Sequence, residues 1–174
     1  MELSDSIVNY YRGEKAEAII LTFSGITVFI ALLALLMQYP TDLTKGLMYP
    51  VLAFITVAIF AGSFNIYNNS KRLKDIPVQY HNDKAGFIVG EFARFEGKNG
   101  VNKWWLPLNI VWTLCILFGL ILYFFRDDFY LKGVALGIVF FGFSGLLIDG
   151  FAKERADRYT KDLLLVKSKS KKER

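Results

Sequence analysis

The sequence predicts an all-α integral membrane protein, with four transmembrane helices as two antiparallel hairpins and short amphipathic helices on the cytoplasmic side. Three observations carry that expectation. Stretches 18–37, 47–66, 104–125 and 129–151 each match the roughly 20 apolar residues that a helix needs to cross a bilayer. The polar connections within each pair of stretches are short, whereas the middle segment, 67–103, is long. Of the 21 Lys and Arg, 18 fall in segments 1–16, 67–103 and 152–174, which must share a side in a four-span chain. The positive-inside rule makes that side the cytoplasm, so both termini are expected there, in a multi-pass bacterial-type inner (plasma) membrane.

Composition agrees. The 174 residues are 53% hydrophobic with a mean hydropathy of +0.33, and the apolar residues are concentrated in the four stretches. The chain divides into a cytoplasmic N-terminal amphipathic segment (1–16), a first transmembrane hairpin (17–66), a cytoplasmic linker with an amphipathic helix (67–103), a second hairpin (104–151) and a basic cytoplasmic tail (152–174). The first apolar run is longer than the roughly 7 to 15 residues of a signal-peptide core, so it is expected to stay in the protein. The net charge of +5 would suit nucleic acid, but the basic residues flank spans, and the tail lacks the interleaved aromatics of a single-strand binder. Attraction to anionic lipid headgroups is the preferred reading of the tail.

Taken in order, residues 1–16 set Leu3, Ile7 and Tyr10 or Tyr11 at helical spacing, with Ser4 or Asp5 as an N-cap. Two readings stand: an interfacial helix that turns near Gly13, or a plain extension of the first span. In the first span Thr22, Ser24, Gly25 and Thr27 mark a half that faces protein. Pro50 is expected in the first turn of the second span, where its missing amide costs little. Ala61, Gly62 and Ser63 near the end of that span form a small-residue face. Residues 81–97 place Ala85, Ile88, Phe92 and Phe95 on one side and Lys84, Glu91 and Arg94 on the other. Trp104 and Trp105 beside Lys103 read as an interface anchor, and Asn109 and Thr113 as an interhelical hydrogen-bonding pair. In the tail, Ala152, Arg155 or Ala156, Tyr159 and Leu163 continue a helical stripe.

With the orientation set, polar groups near the cytoplasmic ends of several spans fall at similar depth. The candidate polar cluster is Asp149, Asn65, Asn109, Ser144 and Ser63, with Glu17 and Ser24 at the same level. Embedded polar groups are costly and tend to face a bundle interior or a wet cavity. Against this stands a structural role for Asp149, paired with Lys153 or Arg72. Gly133, Gly137, Gly142 and Gly145 form the candidate helix-packing face, including a GxxxG. The lone His81 and the lone Cys115, the latter inside a span, provide no metal-ligand spacing, no haem pair and no disulfide. No catalytic residue, metal or cofactor is therefore expected.

The functional expectation is a small non-enzymatic accessory or assembly subunit or an oligomeric pore-forming protein. Its partners would be the lipid bilayer and a second copy or another membrane protein. The alternative is a small transporter or lipid-handling membrane enzyme that uses the polar cluster around Asp149.

Overall fold

The computed structural model of the protein describes residues 3–172, almost all of them helical. Side chains from residue 169 onward lie outside the described residues, and so do Lys169, Lys171, Lys172 and Arg174 of the basic tail. Five α-helices follow one another: α1 (Leu3–Gln38), α2 (Asp42–Asn82), α3 (Lys84–Glu96), α4 (Trp105–Phe125) and α5 (Phe129–Lys172), with a 3-10 turn at Val101–Lys103 before α4. Four of the helical stretches are long and apolar enough to cross a membrane.

Their lengths are unequal, and this shapes the molecule. The 21 residues of α4 extend about 31 Å, close to the thickness of a hydrocarbon core. The 36 residues of α1, 41 of α2 and 44 of α5 run to about 54, 62 and 66 Å. The surplus lengths converge at one end of the molecule. There Ile7, Tyr10 and Tyr11 of α1, Ile76 of α2, Ile88 and Phe95 of α3, and Ala156, Tyr159 and Leu163 of α5 form one buried cluster. This compact helical head lies beyond the apolar stretches.

Several expectations change here. α1 passes through Gly13 without a break, so residues 3–16 extend the long helix and do not turn aside. Tyr11 is 1% exposed and Ile7 2%, sealed against α2 and α5. Ser4 and Asp5 lie within the helix, not at a cap. α2 continues well past Ile66, so segment 67–103 begins with the end of a long helix and then adds α3, which Asp83 caps by accepting the Gly86 amide at 2.8 Å. Pro50 sits well inside α2, not in its first turn. Its ring packs toward Gly137, where an added Cβ would stand 2.9 Å from the proline Cβ.

In the apolar part, α2 and α5 form the central pair, with α1 against α2 and α4 against α5. The contacts along α1 and α2 run in opposite order: Gly25 faces Ala58 and Ile59, while Gly62 faces Ala18 and Thr22. They do so along α4 and α5 as well, with Gly119 on Ala135 and Val139, and Gly142 on Trp112 and Ile116. α2 and α5 run side by side in the same sense, with Gly46 beside Tyr130 and Phe54 on Phe140 and Phe141 at ring separations of 5.2 and 6.2 Å. The apolar windows bury between 6% and 28% of their residues, so most of their large side chains point outward. Such an apolar exterior suits a lipid environment.

Candidate functional site

Along the apolar stretches α1 and α5 separate and leave a cleft of about 670 Å³. Its walls are Ile20, Leu21 and Val28 of α1 and Phe140, Leu147, Ile148 and Phe151 of α5, with Phe54 of α2 behind. Ser24 and Ser144 contribute hydroxyls along the walls. The foot, next to the head, is charged. The Arg155 guanidinium donates to Glu14 from Nε at 3.2 Å and from Nη2 at 3.1 Å, and also pairs with Glu17. Its stem lies over Gly13, where an added Cβ would come within 2.8 Å of Arg155 Cδ. The local sequence explains the convergence. Glu14 and Glu17 are three apart on one face of α1, and Arg155 lies one turn before Tyr159 on the inward stripe of α5. Two carboxylates against one guanidinium leave the foot with an excess of one negative charge.

The candidate polar residues do not meet in one place. Ser144 lines the cleft together with Ser24 and Glu17. Asp149 turns toward α4, where it accepts a 2.5 Å hydrogen bond from Trp112 Nε1. The partners expected for it lie elsewhere: Lys153 is 4.0 Å from Asp157, and Arg72 sits over the Tyr11 ring. Asn109 is half-buried, and the Thr113 hydroxyl donates to its carbonyl oxygen at 2.7 Å, so that pair stays within one helix. Ser63 and Asn65 are exposed on the outer side of α2.

Gly133, Gly137, Gly142 and Gly145 of α5 are all buried but do not share one face. Gly133 and Gly137 meet Leu43, Leu47 and Pro50 of α2, whereas Gly142 and Gly145 meet Trp112, Cys115 and Ile116 of α4. At 100° per residue, Gly142 lies on the opposite side of the helix from Gly133. Each pair lets a different neighbour approach. Cys115 is a free thiol, half-buried. His81 is exposed at the edge of the head beside Pro77 and Tyr80. No cluster of three or more His, Cys, Asp or Glu able to hold a metal occurs among the described residues.

The head contains a second polar centre. The Glu91 carboxylate accepts from the Tyr11 hydroxyl at 3.0 Å and the Tyr159 hydroxyl at 3.2 Å, and it pairs with Arg94 at 3.2 Å. Arg94 also reaches the Tyr11 hydroxyl. Burial pushes the Tyr11 hydroxyl up to about 12, and the buried hydroxyls of Tyr10 and Tyr159 rise as well. Around this centre Tyr10 stacks on Tyr159 at 4.6 Å, and Phe95 meets both rings edge-on. Glu91 and Arg94 therefore turn inward, contrary to the expectation that they line the solvent face of α3. A carboxylate needs partners to be buried, and two tyrosines at apolar-stripe positions provide them. The pairing of Tyr11 with Tyr159 across 148 positions is a tertiary fact with no local sequence signal.

Comparison with protein-family models, with curated proteins and with solved structures gives no match to this chain.

Proposed function

We propose that this chain is a four-span membrane protein that holds a lipid-like amphiphile in the cleft between α1 and α5. In this reading α1 with α2, and α4 with α5, form two transmembrane hairpins. The head and both termini lie in the cytoplasm of a bacterial-type inner membrane, and the basic tail attracts anionic headgroups. The cleft is the observation that carries the reading. Its volume falls in the ordinary range for small-molecule sites, its walls are apolar, and its charged end lies next to the head, at the edge of the apolar stretches. An occupant with an apolar chain along Leu21, Val28 and Ile148 and a polar end at Glu17 and Arg155 matches that polarity. The polar groups at the foot already satisfy one another, which favours holding or passing a ligand over covalent chemistry.

Ser144→Trp should fill the cleft. Native mass spectrometry of protein extracted in mild detergent should then show fewer co-purified lipids than the unsubstituted chain. Val57→Trp, on the exposed side of α2, should leave the lipid count unchanged. Equal lipid retention by Ser144→Trp with an unaltered helical spectrum would reject the cleft as a binding site.

One observation favours a second reading, an accessory subunit or oligomer. Ser63 and Asn65 lie on an outward face of α2 with Phe60, Phe64 and Tyr67, and polar groups turned to lipid are unfavourable unless another helix covers them. Ser63→Cys in a Cys115→Ala background should cross-link between copies in membranes if a second copy is that cover. A monomeric mass without cross-linking would remove the homo-oligomer and the pore.

A further inference from the structure

The head has a second concavity, of about 410 Å³, which shares no lining residue with the cleft. Tyr11 of α1, one face of α2 from Asn68 to Gln79, and Glu91 and Arg94 of α3 line it. Its cations are Lys71, Arg72 and Arg94, and its carboxylates are Asp75 and Glu91. The two carboxylates are not equivalent. Glu91 is occupied by Arg94 and by the hydroxyls of Tyr11 and Tyr159, so its charge is already compensated inside the head. Lys71 and Arg72 form no ion pair among the described residues, and Arg72 is held only by its position over the Tyr11 ring, 5.6 Å from the centroid. The lining thus presents two uncommitted cations beside one uncommitted carboxylate, with the amides of Asn68 and Gln79 as further donors.

Depth along α2 indicates which anion fits. The apolar stretch ends at Ile66, and Lys71 and Arg72 follow by five and six residues, or about 8 to 9 Å along the helix axis. The headgroup layer on each face of a bilayer is roughly 5 to 8 Å deep. Lys71 and Arg72 therefore reach the level of lipid phosphates, while Gln79 projects into water. We propose that this concavity is an anion site that takes the phosphate of an anionic lipid headgroup, with Lys71 and Arg72 as its primary contacts and Arg94 behind them. The site shares no lining residue with the α1–α5 cleft. It rests on the membrane reading above and not on the cleft.

The test uses the full chain reconstituted in nanodiscs of phosphatidylcholine with a titrated fraction of phosphatidylglycerol. Binding is read by native mass spectrometry after release from the discs. Lys71→Gln with Arg72→Gln alters two exposed side chains and should lower phosphatidylglycerol retention about thirtyfold, from roughly 1 kcal/mol per base near an anionic surface. Lys169→Gln, Lys171→Gln and Lys172→Gln together should leave the tightest phosphatidylglycerol adduct in place. Millimolar inorganic phosphate that displaces this adduct would identify the site as one for phosphate from either source. Failure of phosphate to compete would assign it to the lipid headgroup. Retention that is unchanged in the Lys71/Arg72 variant, or that is equal for phosphatidylcholine, would overturn the site. Resistance of the protein to carbonate extraction checks the membrane reading independently, in the cell membranes from which the protein is purified.

Discussion

At the residue scale the best-determined polar group is Glu91, which sequence reasoning had turned toward solvent. Two tyrosine hydroxyls and one guanidinium share its carboxylate, and Tyr159 is 2% exposed. Tyr159→Phe keeps the ring stacked on Tyr10 and removes one donor, so it should cost about 1 to 2 kcal/mol in detergent unfolding. The tyrosines also tie the head to alkaline pH. Burial raises Tyr11 from 10.0 to about 12, so the folded state holds that proton more tightly than the unfolded chain does. Its contribution is complete below pH 10 and is lost as pH rises through about 12. Ultraviolet titration should show that the buried Tyr10, Tyr11 and Tyr159, three of the nine tyrosines, ionise only once the head opens, and ionisation of all nine on a still-folded protein would contradict the burial. Asp149 carries the opposite lesson. Its place near the end of an apolar stretch was legible in the sequence, but its Trp112 partner was not, because indole donors have no charge pattern to announce them.

At the element scale, the apolar stretches were legible because about 20 consecutive apolar residues have few alternatives. Helix ends beyond the apolar stretches were not. α2 passes from apolar to polar at Ile66 without losing its hydrogen-bonding pattern, and composition marks the change of surroundings, not the end of the helix. α5 is similar: its inward stripe of Ala156, Tyr159 and Leu163 was readable, while the partner that buries the stripe was not. The glycines were seen as one packing face, yet they serve two neighbours. Gly133 is the sharpest case, since an added Cβ would collide with the Leu43 carbonyl oxygen of α2 and stand 2.8 Å from the Leu47 amide nitrogen. Gly133→Leu should push α2 and α5 apart and cost about 1 to 3 kcal/mol. Gly150→Leu, where no neighbour lies within 4 Å, should cost far less. Unfolding of both variants in mixed detergent micelles compares them, and equal stabilities would mean that the α2–α5 approach is not tight.

At the scale of the whole molecule, charge and shape agree that three segments of the chain share one end. The sequence places 18 of 21 Lys and Arg in segments 1–16, 67–103 and 152–174, and the surplus helical lengths of α1, α2 and α5 build a single head from those same segments. The opposite end has just the short connections after Gln38 and Phe125. A head with a charged cleft foot and exposed cations is very costly to move through hydrocarbon, so in the proposed orientation the chain should insert with the head retained on the cytoplasmic side. Cysteine labelling tests this in a Cys115→Ala background. Asp127→Cys, in the connection between α4 and α5, should react with a membrane-impermeant maleimide in intact spheroplasts. His81→Cys, exposed on the head, should react only after the membrane is opened. The reverse pattern would invert the protein, and the proposed phosphate site with it, and labelling of both positions in sealed spheroplasts would refute a single fixed orientation.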